Sequence, residues 1–383
     1  MVCRKLKIRS YFDMKRTKSS FCAQTWAFFL ILVSVPKSID IGILQCSAFS
    51  FSSVLRPMAP VPTQRLEELK KSQSKQDSLV SNWFVDEAGI VGISRICLST
   101  TEKSVGGRGI FWVDNDIACQ GDVLALIPAK CVITSSNLQD NFPALRGMQE
   151  SDVSWPAKIT ALAMHCLQVN DNDYMNRVEW IKAWQGGGPS GPQPSEYYPT
   201  EELNQLAATA GSTVDLVEEA IDKRYETFMK DFKEMKKKKY HASNRLKAAD
   251  FGAIYSIVVS RSACLGPIWG GKRGIIPLHD FLNHPPSSDK SNVELFCFGD
   301  LRKMVGYVHA NELVRRVLND PNEKKVSKKD GHFEPKDDDI VLVASRDIGI
   351  GDELWLSYRD SNKIDSVEER IWLMLQYGFP LHI

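Results

Sequence analysis

The spacing of apolar residues changes period several times along this chain. From Ile90 to Ile133, short apolar runs (IVGISRICL, GIFWVDNDI, DVLALIP and CVIT) are cut by Gly, Asp and Pro, the pattern of short strands. Trp155, Ile159, Leu162, Ala163 and Cys166 then recur at helical spacing, which predicts a helix from Ser154 to Val169. A second amphipathic helix is predicted from about Val214 to Phe232, with Val217, Ile221, Tyr225, Phe228 and Phe232 on one stripe. Ser212 and Asp215 fit a capping box ahead of it. Phe251 to Leu265 is apolar and reads as helix. Strand-like pieces resume at Arg273–Pro277, Val293–Phe298, Ile340–Ala344 and Glu353–Tyr358. A last helix, Val367 to Tyr377, stops at Gly378. Short strands at both ends enclosing a helical insertion describe an α+β fold, not an alternating βαβ series.

Between these elements, Gln64 to Ser81 reads as a polar helix or tether, Gln185 to Pro199 as a linker, and Asn319 to Asp339 as a mobile surface loop. The run Lys236 to Lys239 reads as the solvated end of a helix. Three segments result: 1–62 as presequence and linker, 63–89 as an N-terminal helix or tether, and 90–383 as the folded domain. The insertion occupies about 135–250.

The 383 residues carry 48 Lys+Arg against 47 Asp+Glu, a net charge of +1, with 43 % apolar residues. Such a balance is that of an ordinary globular protein and argues against a dedicated nucleic-acid binder, which needs a basic excess to displace counterions. The nine cysteines include no C-x-x-C or C-x-C pair, so no zinc site is expected and the thiols read as reduced core residues.

Residues 1–20 carry seven basic side chains against Asp13, and an apolar run follows from Phe21 to Val35. A basic segment before a short apolar one is an address pattern, too short to span a bilayer comfortably. The stretch CSAFSF (Cys46 to Phe51) resembles the bipartite plastid-targeting motif of algae with secondary plastids, which implies a plastid location. A cytoplasmic protein starting near Met58, or one anchored by the apolar segment, are the alternatives. The body of the chain is expected not to enter a membrane.

Several motifs fail on context. Gly186, Gly188 and Gly191 satisfy G-x-G-x-x-G, but Pro189 and Pro192 crowd a segment that should open a helix. Gly266, Gly271 and Lys272 approach a phosphate-binding loop, yet Arg273 stands where Ser or Thr is required. No Ser or Cys lies in an elbow sequence that would support hydrolysis.

Four blocks remain. They are GGRGIFWVDNDIACQGDVLALIP (Gly106 to Pro128), SRSACL from Ser260 ahead of IPLHDFLNH (Ile276 to His284), IVLVASRDIGIGDELWLSYRDSN (Ile340 to Asn362) and QYGF (Gln376 to Phe379). In this order they resemble a SET-domain protein methyltransferase, of the subclass with the Rubisco large-subunit lysine methyltransferase and the actin-histidine methyltransferase. The resemblance spans roughly Ile90 to Pro380. It implies a SET fold of short strands with a helical insertion and a C-terminal pseudoknot, and S-adenosylmethionine as cofactor.

Residue by residue, the resemblance makes Tyr358 the catalytic tyrosine. A phenol of pKa about 10 is a poor bulk base at neutral pH, so alignment of the target nitrogen suits it better than proton removal. Gly107, Arg108 and Gly109 fall in the cofactor-facing strand entry, where a Cβ would occlude close approach. Arg261, Asn283 and His284 match cofactor-holding positions. Tyr377 and Phe379 match aromatics that wall the channel, where ring faces attract cationic sulfonium and ammonium groups. Asp280 is placed near the substrate entrance. No metal is implied.

Two departures stand out. Arg359 follows the tyrosine where the family has Gly, and QYGF lies next to Ile383, so the helical substrate-binding domain of the subclass is expected to be missing. The zinc-binding cysteine clusters of many histone-directed members are also missing. The expectation is a monomeric protein-lysine N-methyltransferase with a non-histone protein substrate. Its alternatives are a protein-histidine N-methyltransferase and a catalytically inactive SET-like binding module.

Overall fold

The computed structural model describes residues 67–69, 71–100, 108–135, 148, 152–169, 177–184, 191–238, 247–285, 290–319, 334–357 and 366–377. The chain divides into Met1–Pro62 and Thr63–Ile383, and every described residue belongs to the second unit. The N-terminal segment expected to act in targeting, Gly107, Tyr358, Arg359 and Phe379 lie outside the described residues, as do 358–365 and 378–383, on which the expected pseudoknot depends.

Helix α1 (Lys75–Asp86) begins at Ser74, whose hydroxyl accepts from Asp77 N while the Asp77 carboxylate accepts from Ser74 N. This reciprocal cap satisfies two amide donors that a helix start otherwise leaves open. The helix buries Val80, Trp83 and Phe84. Strands β1 (Ile96–Thr100) and β2 (Arg108–Trp112) pair antiparallel, from Ile96 opposite Trp112 to Thr100 opposite Arg108. Gly92, just ahead of β1, has φ +95°, and a Cβ there would sit 2.2 Å from the Leu124 carbonyl oxygen.

Strand β3 (Val123–Ile127) is buried along its whole length, as the unbroken run VLALI requires. Strand β4 is Ile133–Thr134. The insertion then supplies α2 (Trp155–Val169), α3 (Val178–Trp184), α4 (Thr200–Ala210), α5 (Val214–Lys238) and α6 (Ala248–Arg261). Phe228, Phe232, Phe251 and Tyr255 pack as one aromatic cluster between α5 and α6, with centroids 5.4–6.5 Å apart. Strands β5 (Ala263–Cys264) and β6 (Arg273–Ile275) join β4 in the order β4-β6-β5. Next come β7 (Val293–Cys297), α7 (Phe298–Val305), α8 (Tyr307–Leu318), β8 (Ile340–Ala344) and α9 (Val367–Tyr377). A third sheet has the order β3-β8-β7, antiparallel throughout.

The α+β expectation holds, and the structure corrects details. Helix α5 starts at Val214 with Thr213 as its cap, its hydroxyl accepting from Leu216 N at 3.5 Å, so the Ser212/Asp215 box is one residue out of register. Helices α3, α4, α7 and α8 were not foreseen. Each is short, and a short apolar stretch does not distinguish helix from strand. Part of the expected linker is packed: Ser195 donates from N and Oγ to Asp222, at 2.7 and 2.9 Å. Asp339, assigned to a mobile loop, is buried and accepts from Ala129 N and Lys336 N. The near phosphate loop is a 3-10 turn (Pro267–Trp269) linking two strands, with no helix to receive a phosphate. None of the six described cysteines forms a disulfide with another of them.

Candidate active site

Three of the four blocks meet at Asn283. Its side-chain amide donates to the Arg108 carbonyl at 2.7 Å and to Glu353 Oε1 at 2.8 Å. Its own carbonyl accepts from Leu356 N at 3.0 Å, and it bridges Trp355 in parallel. One side chain thus joins the start of β2, the 276–284 loop and the segment that runs toward residue 358. An amide can do this because it places two donors on one nitrogen.

The segment 353–357 is not the regular strand its pattern suggested. It makes isolated bridges on two sides: Glu353 pairs with Phe111 antiparallel, and Leu356 pairs with Val293 in parallel. Irregular backbone must find its hydrogen bonds singly. Here the buried Asn292 provides two, accepting from Trp355 N at 2.6 Å and donating to the Glu353 carbonyl at 2.8 Å. Ser291 Oγ accepts from Ser357 N at 3.0 Å and donates to the Trp355 carbonyl at 3.2 Å. The opposite edge is held by Leu354 N to the Ile110 carbonyl, 2.7 Å. The segment 353–357 that leads to position 358 is therefore held on both flanks, by Ser291 and Asn292 on one and by Ile110 on the other.

The loop carrying Asn283 is itself constrained. Leu278 has φ +74° and ψ −51°, and it is the one non-glycine residue at positive φ among the described residues. Such a conformation costs about 1–3 kcal/mol and persists where the surroundings over-determine it. Arg261, the last residue of α6, donates from Nη1 to the Asp280 carbonyl at 2.7 Å. The guanidinium groups of Arg261 and Arg108 stand 5.6 and 5.8 Å from the Phe281 ring centroid. His284 is half-buried beside Asn283.

Two of the assigned residues have defined partners. The Arg108 side chain pairs through Nε with Asp77 at 2.9 Å and donates from Nη1 to the Ala183 carbonyl at 3.1 Å, tying α1 and α3 to β2. Its carbonyl, not its charge, enters the junction. Asp280, assigned to a substrate entrance, is 5 % exposed, and its Oδ2 accepts from both the Trp180 and Trp184 indoles at 2.8 Å. Burial pushes its carboxyl up to about 6, against the lowering effect of Arg261 and the two indoles. Burial also holds the neighbouring His279 down to about 4. Asp280 is thus a buried acceptor held by two indole donors.

The remaining assignments divide as follows. Gly109 lies in β2, opposite Ser99. Tyr377 closes α9, and the chain's Gln376 just before it accepts from Arg273 Nη1 at 3.5 Å. Asn292, Glu353, Trp180 and Trp184 were missed. Asn292 closes a polar run, Ser287 to Asn292, and Glu353 follows Asp352, so neither stands out in the sequence; the tryptophans sit four apart on one helix face, and that spacing is the available signal.

This architecture is that of the SET domain. No family model matches the chain, and no curated protein sequence matches it. Among solved structures it is similar to the SET domain of LSMT bound to lysine and AdoHcy, with a TM-score of 0.52 and 15 % identity over 81 % of this chain. The chain covers 58 % of that protein, somewhat over half of its length. Rubisco LSMT bound to AdoMet is a looser likeness, with a TM-score of 0.49 and 14 % identity, covering 80 % of this chain and 57 % of that one.

Proposed function

We propose that this chain is an S-adenosylmethionine-dependent protein N-methyltransferase that modifies a lysine of a non-histone protein. The observation that carries the reading is the junction at Asn283, where strand entry, loop and the segment leading to Tyr358 share one side chain. Residues so far apart in sequence are worth joining this tightly where a reaction depends on alignment, because positioning alone can lower a barrier by several kcal/mol. The donor set suits an amino-acid-bearing cofactor in kind. Arg261 brings positive charge for a carboxylate, and the 283–284 and 108–109 backbones bring carbonyls and amides for the rest. Because Asn283 gives its amide hydrogens to the Arg108 carbonyl and the Glu353 carboxylate, its role in this reading is to hold β2 and the 353–357 segment in place.

When bound, the cofactor would supply an electrophilic methyl group. The chain's own part is to align the amine and shield the reacting atoms from water; the proton that a lysine ammonium must lose before attack goes to bulk solvent, because the phenol is a poor base at neutral pH. Tyr358 would orient the target nitrogen through its phenol oxygen, with Tyr377 and Phe379 lining the channel. Arg359, in place of the family's glycine, follows it directly.

The deciding test pairs AdoMet calorimetry with transfer of a tritiated methyl group to proteins of a lysate. We expect Tyr358→Phe to bind AdoMet with nearly wild-type affinity while transfer falls at least a hundredfold. Binding without transfer in the wild type leaves a binding module, and equal transfer by Tyr358→Phe removes the tyrosine from the mechanism. Mass spectrometry of the labelled proteins separates lysine from histidine as target. We assign the N-terminal segment to plastid targeting. Residues 1–62 fused to a fluorescent reporter should direct it there, and a cytosolic signal refutes the assignment.

A further inference from the structure

Arg273 opens β6 and is half-buried, yet among the described residues it has no carboxylate partner. Its guanidinium lies 5.0 Å from the centroid of the Trp372 ring and 5.8 Å from that of Trp155. Its one hydrogen bond to a side chain is the long one to Gln376 Oε1, 3.5 Å. Gln376 is 3 % exposed, and among the described residues its Nε2 has no hydrogen-bond partner. Ring faces attract a cation without neutralising it, and the planar fork that pairs with a carboxylate remains largely unspent. Trp372 is 45 % exposed, a large apolar surface left beside that charge. Exposed tryptophan next to arginine is the composition that dominates binding energy at protein interfaces.

Position supplies the rest. Arg273 pairs with Cys264 across β5 and β6, and Cys264 follows Arg261 by three residues at the edge of the candidate active site. At about 3.3 Å per extended residue, Arg273 stands roughly 10–15 Å from the end of α6. That is the reach of about three to four residues of extended peptide.

We propose that Arg273, gripped by Trp155 and Trp372 and steadied by Gln376, anchors an acidic side chain of the protein substrate, three to four residues from the modified one. The proposal rests on the methyltransferase reading for the identity of the modified residue, and on Arg273 alone for the acidic preference. A single fork fits a single carboxylate bidentately. A nucleic-acid backbone calls for a row of cations, whereas the side chains in contact with Arg273 are two tryptophans and a glutamine.

The test presents the full chain with a display library of peptides carrying one fixed lysine between randomised flanks. We expect Asp or Glu to be enriched at one position three to four residues from the lysine. By fluorescence polarisation, the selected peptide should bind about tenfold more tightly than its Asn or Gln counterpart. Arg273→Gln should bind both equally, Arg273→Lys should keep part of the preference, and Trp372→Ala, at an exposed site, should weaken it about threefold. No acidic enrichment, a preference that survives in Arg273→Gln, or peptide displaced by a short single-stranded RNA overturns the proposal. AdoMet calorimetry on the same samples separates the two readings. AdoMet binding with no acidic preference sinks the anchor alone, and an Arg273-dependent preference without AdoMet binding supports the anchor and sinks the methyltransferase reading.

Discussion

Around Asn283 and Asn292 the chain is held by hydrogen bonds from side chains to irregular backbone, whereas the layer of α4, α5 and α9 is held mainly by apolar contact among Leu203, Ala207, Val217, Ile221, Ile371 and Met374. The helical layer closes its own backbone bonds and needs its neighbours only to remove apolar surface from water. Any register that buries the stripe serves it nearly as well. The junction has no such freedom, because each amide there finds one partner at one distance. Contacts of the first kind set how stable the domain is, and contacts of the second kind set where a few atoms stand.

The largest expected loss follows from opening another helical interface of the apolar kind, that between α5 and α6. Phe251 is fully buried against Phe228, Phe232 and Tyr255. Phe251→Ala should cost about 3–5 kcal/mol in urea unfolding while AdoMet affinity, measured where the variant is folded, changes little. Asn292→Ala inverts the pattern. It strands the Trp355 amide and the Glu353 carbonyl, at about 1–2 kcal/mol each, for a total of about 2–4 kcal/mol. Methyl transfer should fall much further than that destabilisation explains, since the segment before Tyr358 loses its clamp. Equal losses of transfer in both variants, once corrected for the folded fraction, would erase the distinction between the regions.

A smaller effect separates two neighbours within the 276–284 loop. Asp280 has its carboxyl raised from 3.8 to about 6 by burial, so its contribution to stability is complete below pH 3.8 and is lost as pH rises through about 6. His279 is lowered from 6.5 to about 4 by burial, so its contribution is complete above pH 6.5 and is lost as pH falls through about 4. Each amounts to about 2–3 kcal/mol and the two oppose one another, so the wild type should vary little over this window. Asp280→Asn should uncover a stability that rises from pH 4 to 6.5, and His279→Gln one that falls. Parallel curves for the two variants would show that burial does not govern these groups.

The same contrast explains what could be read from the chain. Helices α2, α5 and α9 carry their stripes over enough turns for the period to emerge, and β3 and β8 are unbroken apolar runs buried on both faces. Four blocks in order were enough for the SET fold. Helices α3 and α4 escaped because a few apolar residues do not define a period. The burial of Asp280 is not legible, because a carboxylate in a sequence says nothing about the indoles that Trp180 and Trp184 bring from about a hundred residues away. The ion pair of Arg108 is hidden for a similar reason. Its partner Asp77 belongs to a helix outside the four blocks, so only its place in a motif is visible.

The smallest effects come from two helix caps that look alike in sequence. Ser74 caps α1 through a full reciprocal box, while Thr213 caps α5 through one bond of 3.5 Å at an exposed site. Ser74→Ala should cost about 1 kcal/mol and Thr213→Ala about 0.3 kcal/mol in urea unfolding. The caps also differ in what lies behind them. Asp77, the second member of the Ser74 box, is the carboxylate that holds Arg108, and the Arg108 carbonyl is one of the acceptors that position Asn283. A loosened α1 start should therefore be felt at the junction, and AdoMet affinity should drop about twofold to threefold in Ser74→Ala but stay level in Thr213→Ala. If calorimetry finds the two variants alike, the Arg108–Asp77 pair fixes β2 without help from the cap, and α1 belongs with the apolar layer as a contributor to stability alone.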